Sequence, residues 1–171
     1  MDWRSLKWQL LVASFVCGLI ALMAVHYLWQ RTAVERPLLQ LLEQNPDVQD
    51  VTLTGDRRAL HVEVTLRSTP RLASTVRRLD TLIKETHPHA IRVIYKDHSN
   101  ELLEDVFHDM HFAIYQAARS GNYRDMANLV HTLARSANLS DYRVEVDATA
   151  IYLQLHTEGA YLYRIIPLNA R

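Results

Sequence analysis

The chain has 171 residues, and its 19 Lys/Arg balance its 19 Asp/Glu. No low-complexity run or long Gly/Ser/Pro linker interrupts it, which excludes a disordered chain. The single cysteine, Cys17, excludes an intrachain disulfide.

The first element is the stretch from Leu10 to Trp29, LLVASFVCGLIALMAVHYLW, which carries no formal charge. As a helix, about twenty residues rise about 30 Å, the thickness of a bilayer's hydrocarbon core. A buried core helix would show a polar stripe, and this stretch has none. A cleaved signal peptide would show small residues at its exit, where His26, Tyr27, Leu28 and Trp29 stand instead. Trp3 and Trp8 before the span, Tyr27 and Trp29 at its end, and the flanking Lys7 and Arg31 suit the two membrane interfaces. The expectation is an uncleaved signal-anchor of a single-pass membrane protein, with the lipid bilayer as partner of residues 10–29. The slight positive excess of Arg4 and Lys7 places the body outside the cytoplasm.

Pro37 suits the first turn of a short amphipathic helix carrying Leu38, Leu39, Leu41 and Leu42, which Asn45-Pro46 closes. From Val51 to Leu66 apolar and polar residues alternate on both sides of Gly55-Asp56, the pattern of a hairpin with one buried face. Ser68-Thr69-Pro70 predicts a helix start with Pro70 at its first position; Leu72, Val76, Leu79 and Ile83 form its apolar stripe. Ile91 to Tyr95 reads as a third strand.

A long helix is expected from Asn100 to Arg119, with Ser99 or Asn100 as cap and Leu103, Val106, Met110 and Ile114 on its buried face. Gly121 is placed to end it and Asn122 to cap a second helix through Leu133 and Ala137. Three strands finish the chain, turning at Asp147-Ala-Thr149 and at Glu158-Gly159. The expected fold class is therefore α+β: an N-terminal transmembrane helix and a compact mixed domain, αββαβ then ααβββ with antiparallel strands. The divisions are 1–31 for the tail and anchor, 32–97 for the first module, and 98–171 for the helical hairpin and meander, which shares one core with the preceding module.

Chemistry is sparse. No Gly-x-Ser-x-Gly, Gly-x-Gly-x-x-Gly or phosphate loop occurs, and only four glycines exist. Glu104, His108 and His111 fall on one face of the long helix, and imidazoles with a carboxylate can hold zinc. His87, His89 or His98 would supply further ligands. A solvated polar face explains the same spacing. Asp105 with Asp109, or Asp141 with Asp147, could pair as acid and base, though exposed carboxylates are usually just solvated. Tyr161 and Tyr163 share one strand face, as an aromatic platform or as half-buried sheet tyrosines. Residues 57–96 hold nine Lys/Arg against three acids, so Arg57, Arg58, Arg71, Arg77 and Arg78 form a candidate binding surface for nucleic acid or anionic lipid.

The αββαβ order of about residues 37–96 is similar to the KH class of RNA-binding folds. The Gly-x-x-Gly clamp of that class is absent, since Gly55-Asp-Arg-Arg58 lacks the second glycine. The same order after an anchor also resembles the ring-building modules of bacterial secretion and sporulation channels, which implies self-association or assembly. The function expected is a membrane-anchored, non-catalytic interaction or assembly domain without a cofactor. Its partner would be a protein or a second copy, with nucleic acid disfavoured. A metal-dependent enzyme or sensor at Glu104, His108 and His111 is the alternative, and a binder of nucleic acid or anionic lipid through the arginines is a third.

Overall fold

The computed structural model describes residues 14–25, 36–56, 59–86 and 90–168. The chain divides into two compact units, Met1–Leu41 and Leu42–Arg171.

In the first unit, residues 14–25 form helix α1, whose side chains are all exposed. The expected membrane span is corrected here: among the described residues no helix is long and apolar enough to cross a membrane. A hydrocarbon core requires about 30 Å of apolar helix, roughly twenty residues. The transmembrane helix, the single-pass anchor and the membrane localisation are withdrawn with it. Residues 10–13 and 26–29, and the flanking Trp3, Lys7, Trp8 and Arg31, lie outside the described residues.

Helix α2 (Arg36–Glu43) carries the chain from the first unit into the second, where Leu42 is fully buried. The elements that follow are β1 (Val48–Asp56), β2 (Ala59–Leu66), α3 (Leu72–Thr86), β3 (Ala90–Lys96), α4 (Glu101–Ser120), α5 (Tyr123–Ser136), β4 (Asp141–Val146), β5 (Ala150–Thr157) and β6 (Ala160–Pro167). The strands make two three-stranded sheets, ordered β1-β2-β3 and β4-β5-β6. The final meander thus builds a sheet of its own.

In the first sheet β1 and β2 are antiparallel, with Leu53 opposite Val62 and Val51 opposite Val64. The expectation of antiparallel strands fails at β3, which runs parallel to β2, with Val62 opposite Val93 and Val64 opposite Tyr95. The reason is the connection: α3 returns the chain to the end where β2 began, and such a helical crossover delivers a parallel strand. β4, β5 and β6 are joined by tight turns and remain antiparallel.

Helix α3 packs against β3 of the first sheet and β5 of the second. Its buried residues are the expected Leu72, Val76, Leu79 and Ile83, with Ala73 and Thr75 added because two neighbours must be satisfied. The helix begins at Leu72, two residues after the expected Pro70. Ser68, Thr69 and Pro70 instead form a loop held by the second sheet. Asp47 accepts from the Thr75 hydroxyl at 2.7 Å, and Asp80 accepts from the Tyr95 hydroxyl at 2.6 Å.

On its other face the second sheet packs against the α4–α5 hairpin. Leu103, Val106, Met110, Ile114 and Ala117 of α4 and Met126, Val130 and Ala134 of α5 share a core with Ile151, Leu153, Leu155, Leu162 and Ile166. Each fully buried leucine or isoleucine in it contributes ~1.5–3 kcal/mol relative to exposure. Asn100 caps α4 by accepting from the Leu103 amide at 3.0 Å. Gly121 ends the helix in the left-handed region, φ 77°, where a side chain would be strained. Asn122 precedes α5, but its side chain makes no capping bond to the helix.

Candidate functional site

A set of hydrogen-bonded polar side chains lies where the loop between β2 and α3 meets the second sheet. Gln154, Tyr161 and Tyr163 project from one face of β5 and β6, since Gln154 stands opposite Tyr163 in the ladder and side chains alternate along each strand. The Tyr163 hydroxyl accepts the Thr69 amide at 2.8 Å and donates to the Arg67 carbonyl at 3.2 Å. The Gln154 amide nitrogen donates to the Thr69 carbonyl at 2.8 Å, while its oxygen accepts the Leu72 amide at 3.2 Å. Leu72 is the first residue of α3, so its N–H has no partner within the helix, and Gln154 supplies one. Tyr161 donates to the Leu66 carbonyl at 2.8 Å. Thr69 and Gln154 are both 2% exposed, so these bonds are made away from water.

A second cluster grips the end of β3. Asp97 accepts the Tyr163 amide at 2.7 Å and the Arg164 guanidinium at 2.8 Å. The other arm of Arg164 binds both carboxylate oxygens of Glu104 at 2.7 Å. Its carbon lies 5.1 Å from the centre of the Phe107 ring. One arginine thereby joins β6, the segment after β3 and α4.

Burial pushes the Tyr163 phenol up to about 12, and burial also raises Tyr161 and Tyr152. Tyr95 is raised by burial and by the Asp80 carboxylate. At Glu104, partial burial raises the carboxyl, but hydrogen bonds from Ser99 and Arg164 and the arginine's charge outweigh it and hold it below the usual range.

The residues expected to hold metal do not converge. Glu104 is committed to Arg164, and the Nδ1 of His111 faces the carbonyl of His108 within the same helix. The His108 and His111 rings lie 4.9 Å apart, centre to centre. Among the described residues no group of three or more His, Cys, Asp and Glu could hold a metal ion. His87 and His89 lie outside the described residues. His98 pairs through its backbone with Tyr161.

Of the five arginines of the expected basic surface, Arg71, Arg77 and Arg78 lie among the described residues. Arg57 and Arg58 lie outside the described residues. Arg77 binds Asp147 at 3.1 Å, and all three side chains are exposed, Arg71 just before α3 and Arg77 and Arg78 on it. Asp147 in turn accepts from the Thr149 amide and hydroxyl at 2.7 Å each and from the Ala150 amide at 3.0 Å, so it shapes its own turn. Asp141 stands at the far end of β4.

Sequence reasoning passed over Gln154, Asp97 and Arg164. The one local signal was Gln154, a polar residue in the middle of the apolar run Ile151–Leu155. A strand buried on both faces leaves such a residue nowhere to go but to an internal partner. No protein-family model matches this chain, and neither does any curated protein or solved structure.

Proposed function

We propose that this chain is a non-catalytic interaction or assembly module. The observation that carries the reading is that the polar side chains buried between the two sheets are spent on the protein's own main chain. A catalytic constellation instead holds a nucleophile, base or acid within reach of one another and of a substrate. Among the described residues, the only buried side-chain polar atom without a partner is the Nε2 of His156. The rings of Tyr161 and Tyr163 lie 6.2 and 5.8 Å from its own. Burial lowers the His156 pKa against the opposing pull of Asp141.

The surface supports the same reading. Phe112 is 75% exposed on α4, and Tyr115 and Leu102 are exposed on the same helix. Aromatic side chains are enriched at protein interfaces, where they bury a large area at low entropic cost.

The test is turnover by the purified full chain on ester, phosphoester, peptide and glycoside substrates, with zinc titration by calorimetry beside it. The reading expects neither turnover nor stoichiometric zinc. Turnover that falls in Glu104→Gln, or stoichiometric zinc that is lost in His108→Ala, would overturn it.

A further inference from the structure

Strand β4 is one margin of the second sheet. Its hydrogen-bonding phase follows from the two ladders of β5. The Asp147 amide donates to the Ala150 carbonyl at 3.0 Å, in register with the β4–β5 pairing, and the Leu168 amide donates to the Thr149 carbonyl at 2.8 Å, so the odd-numbered residues of β5 bond β6 and its even-numbered residues bond β4. In an antiparallel ladder, residues that exchange bonds with the neighbour alternate with residues that do not. Asp141, Arg143 and Glu145 therefore spend their main-chain groups on β5. Tyr142, Val144 and Val146 present theirs to the outer side.

The side chains alternate too. Asp141, Arg143 and Glu145 share one face, with charges negative, positive, negative, while Tyr142, Val144 and Val146 share the other. Val146 is 37% exposed at the margin. Arg143 and Glu145 lie 3.6 Å apart within the strand, both half exposed. An edge with free N–H and C=O groups is a template for another strand, and charges on it normally discourage pairing. Here the charges are self-complementary. Set antiparallel to itself about Val144, the strand places Val144 opposite Val144 and Tyr142 opposite Val146, all with outward main-chain groups. The same register places Arg143 opposite Glu145 twice. Asp141 then falls opposite Asp147, whose carboxylate is turned into its own hairpin and bound by Arg77 at 3.1 Å. Shifting one strand by two residues sets Arg143 against Arg143, so charge selects the first register over that one.

We propose that β4 pairs antiparallel with β4 of a second copy of this chain, centred on Val144, so that two three-stranded sheets become one of six strands. The occupant is a second copy because the charge pattern complements itself in that register. Helix α5 packs on β4, and its His131 bonds the Tyr142 hydroxyl, so the flank of the margin is already ordered. This pairing rests on the reading of the chain as an interaction module and names its partner.

The test is sedimentation equilibrium of the full chain as wild type, as Arg143→Glu, as Glu145→Arg, and as an equimolar mixture of the two variants. Wild type should dimerise. Each variant alone sets like charges opposite one another and should weaken the dimer by about tenfold or more. The mixture should restore it. In the mixed pair the R143E chain carries acids at both positions and the E145R chain carries bases at both, so opposite charges meet twice across the seam. That recovery also shows both variants to be folded. A wild type that stays monomeric at high micromolar concentration overturns the pairing, and so does association that all four samples share equally. Neither result touches the wider reading, which the turnover and zinc measurements test.

Discussion

Thr69 and Tyr163 stand 94 positions apart, and the amide of the first donates to the phenol oxygen of the second at 2.8 Å. The bond fastens the loop between β2 and α3 to the second sheet. Both residues are nearly fully buried, Thr69 at 2% and Tyr163 at 3% exposure. A buried amide without an acceptor costs about 1–3 kcal/mol, so the tyrosine hydroxyl is required by the path of the loop. Tyrosine supplies that acceptor and brings a ring that packs 5.2 Å from Tyr161.

Gln154→Leu should be among the most damaging single changes in the second sheet. The shape is nearly kept, but the Leu72 amide loses its partner and the Thr69 carbonyl keeps only the longer bond from the Tyr163 hydroxyl at 3.4 Å. The unpaired amide implies a loss of about 1–3 kcal/mol. Urea unfolding followed by circular dichroism would measure it, and Gln154→Glu should be no better, because it loses the donor.

Asp97→Asn and Glu104→Gln should differ although Arg164 binds both residues. Asp97 has 12% of its side chain exposed and also accepts the Tyr163 amide. Its replacement should cost about 1–3 kcal/mol. Glu104 has 45% exposed, so screening by water limits its ion pair to ~0–1 kcal/mol. Unfolding midpoints of the two variants, with and without added salt, would separate them; only the Glu104 contribution should fade with salt.

Much of the local structure could be read from residues. The alternation of Leu60, Val62, Val64 and Leu66 marks β2, and all four are buried. Asn100 and Gly121 bound α4 as their chemistry requires. Other features depend on distant parts of the chain. Pro70 suits a helix start, yet the helix waits for Leu72, because the preceding residues are tied to Tyr163 and Gln154. The parallel direction of β3 follows from where α3 lands, which no stripe of leucines reports. The apolar run 10–29 matches a bilayer in composition, yet among the described residues no helix is long and apolar enough to cross one. Helical spacing puts Glu104, His108 and His111 on one face, but it could not report that Arg164, sixty positions on, takes both oxygens of the glutamate.

Stability should fall in acid partly through Asp147. Burial raises its carboxyl, but hydrogen bonds from Thr149 and Ala150 prevail and hold it down to about 2, from 3.8. The folded state therefore binds this proton less tightly than the unfolded state does. The stabilisation is present above about pH 4 and is lost as pH falls through about 2. Asp147→Asn should be less stable than wild type at neutral pH and should show a shallower decline across that interval. Urea midpoints taken at several pH values would reveal the difference in slope.

The most direct measurement is equilibrium unfolding of Tyr163→Phe, which removes one buried oxygen and leaves the ring. If the residues between the sheets are structural, the variant should lose about 1–3 kcal/mol through the orphaned Thr69 amide, in a single transition. Residues held for activity tend to sit at a cost to stability, and replacing them leaves stability unchanged or improves it. An unfolding midpoint equal to or above that of wild type would therefore contradict the structural assignment and mark this seam as a working site.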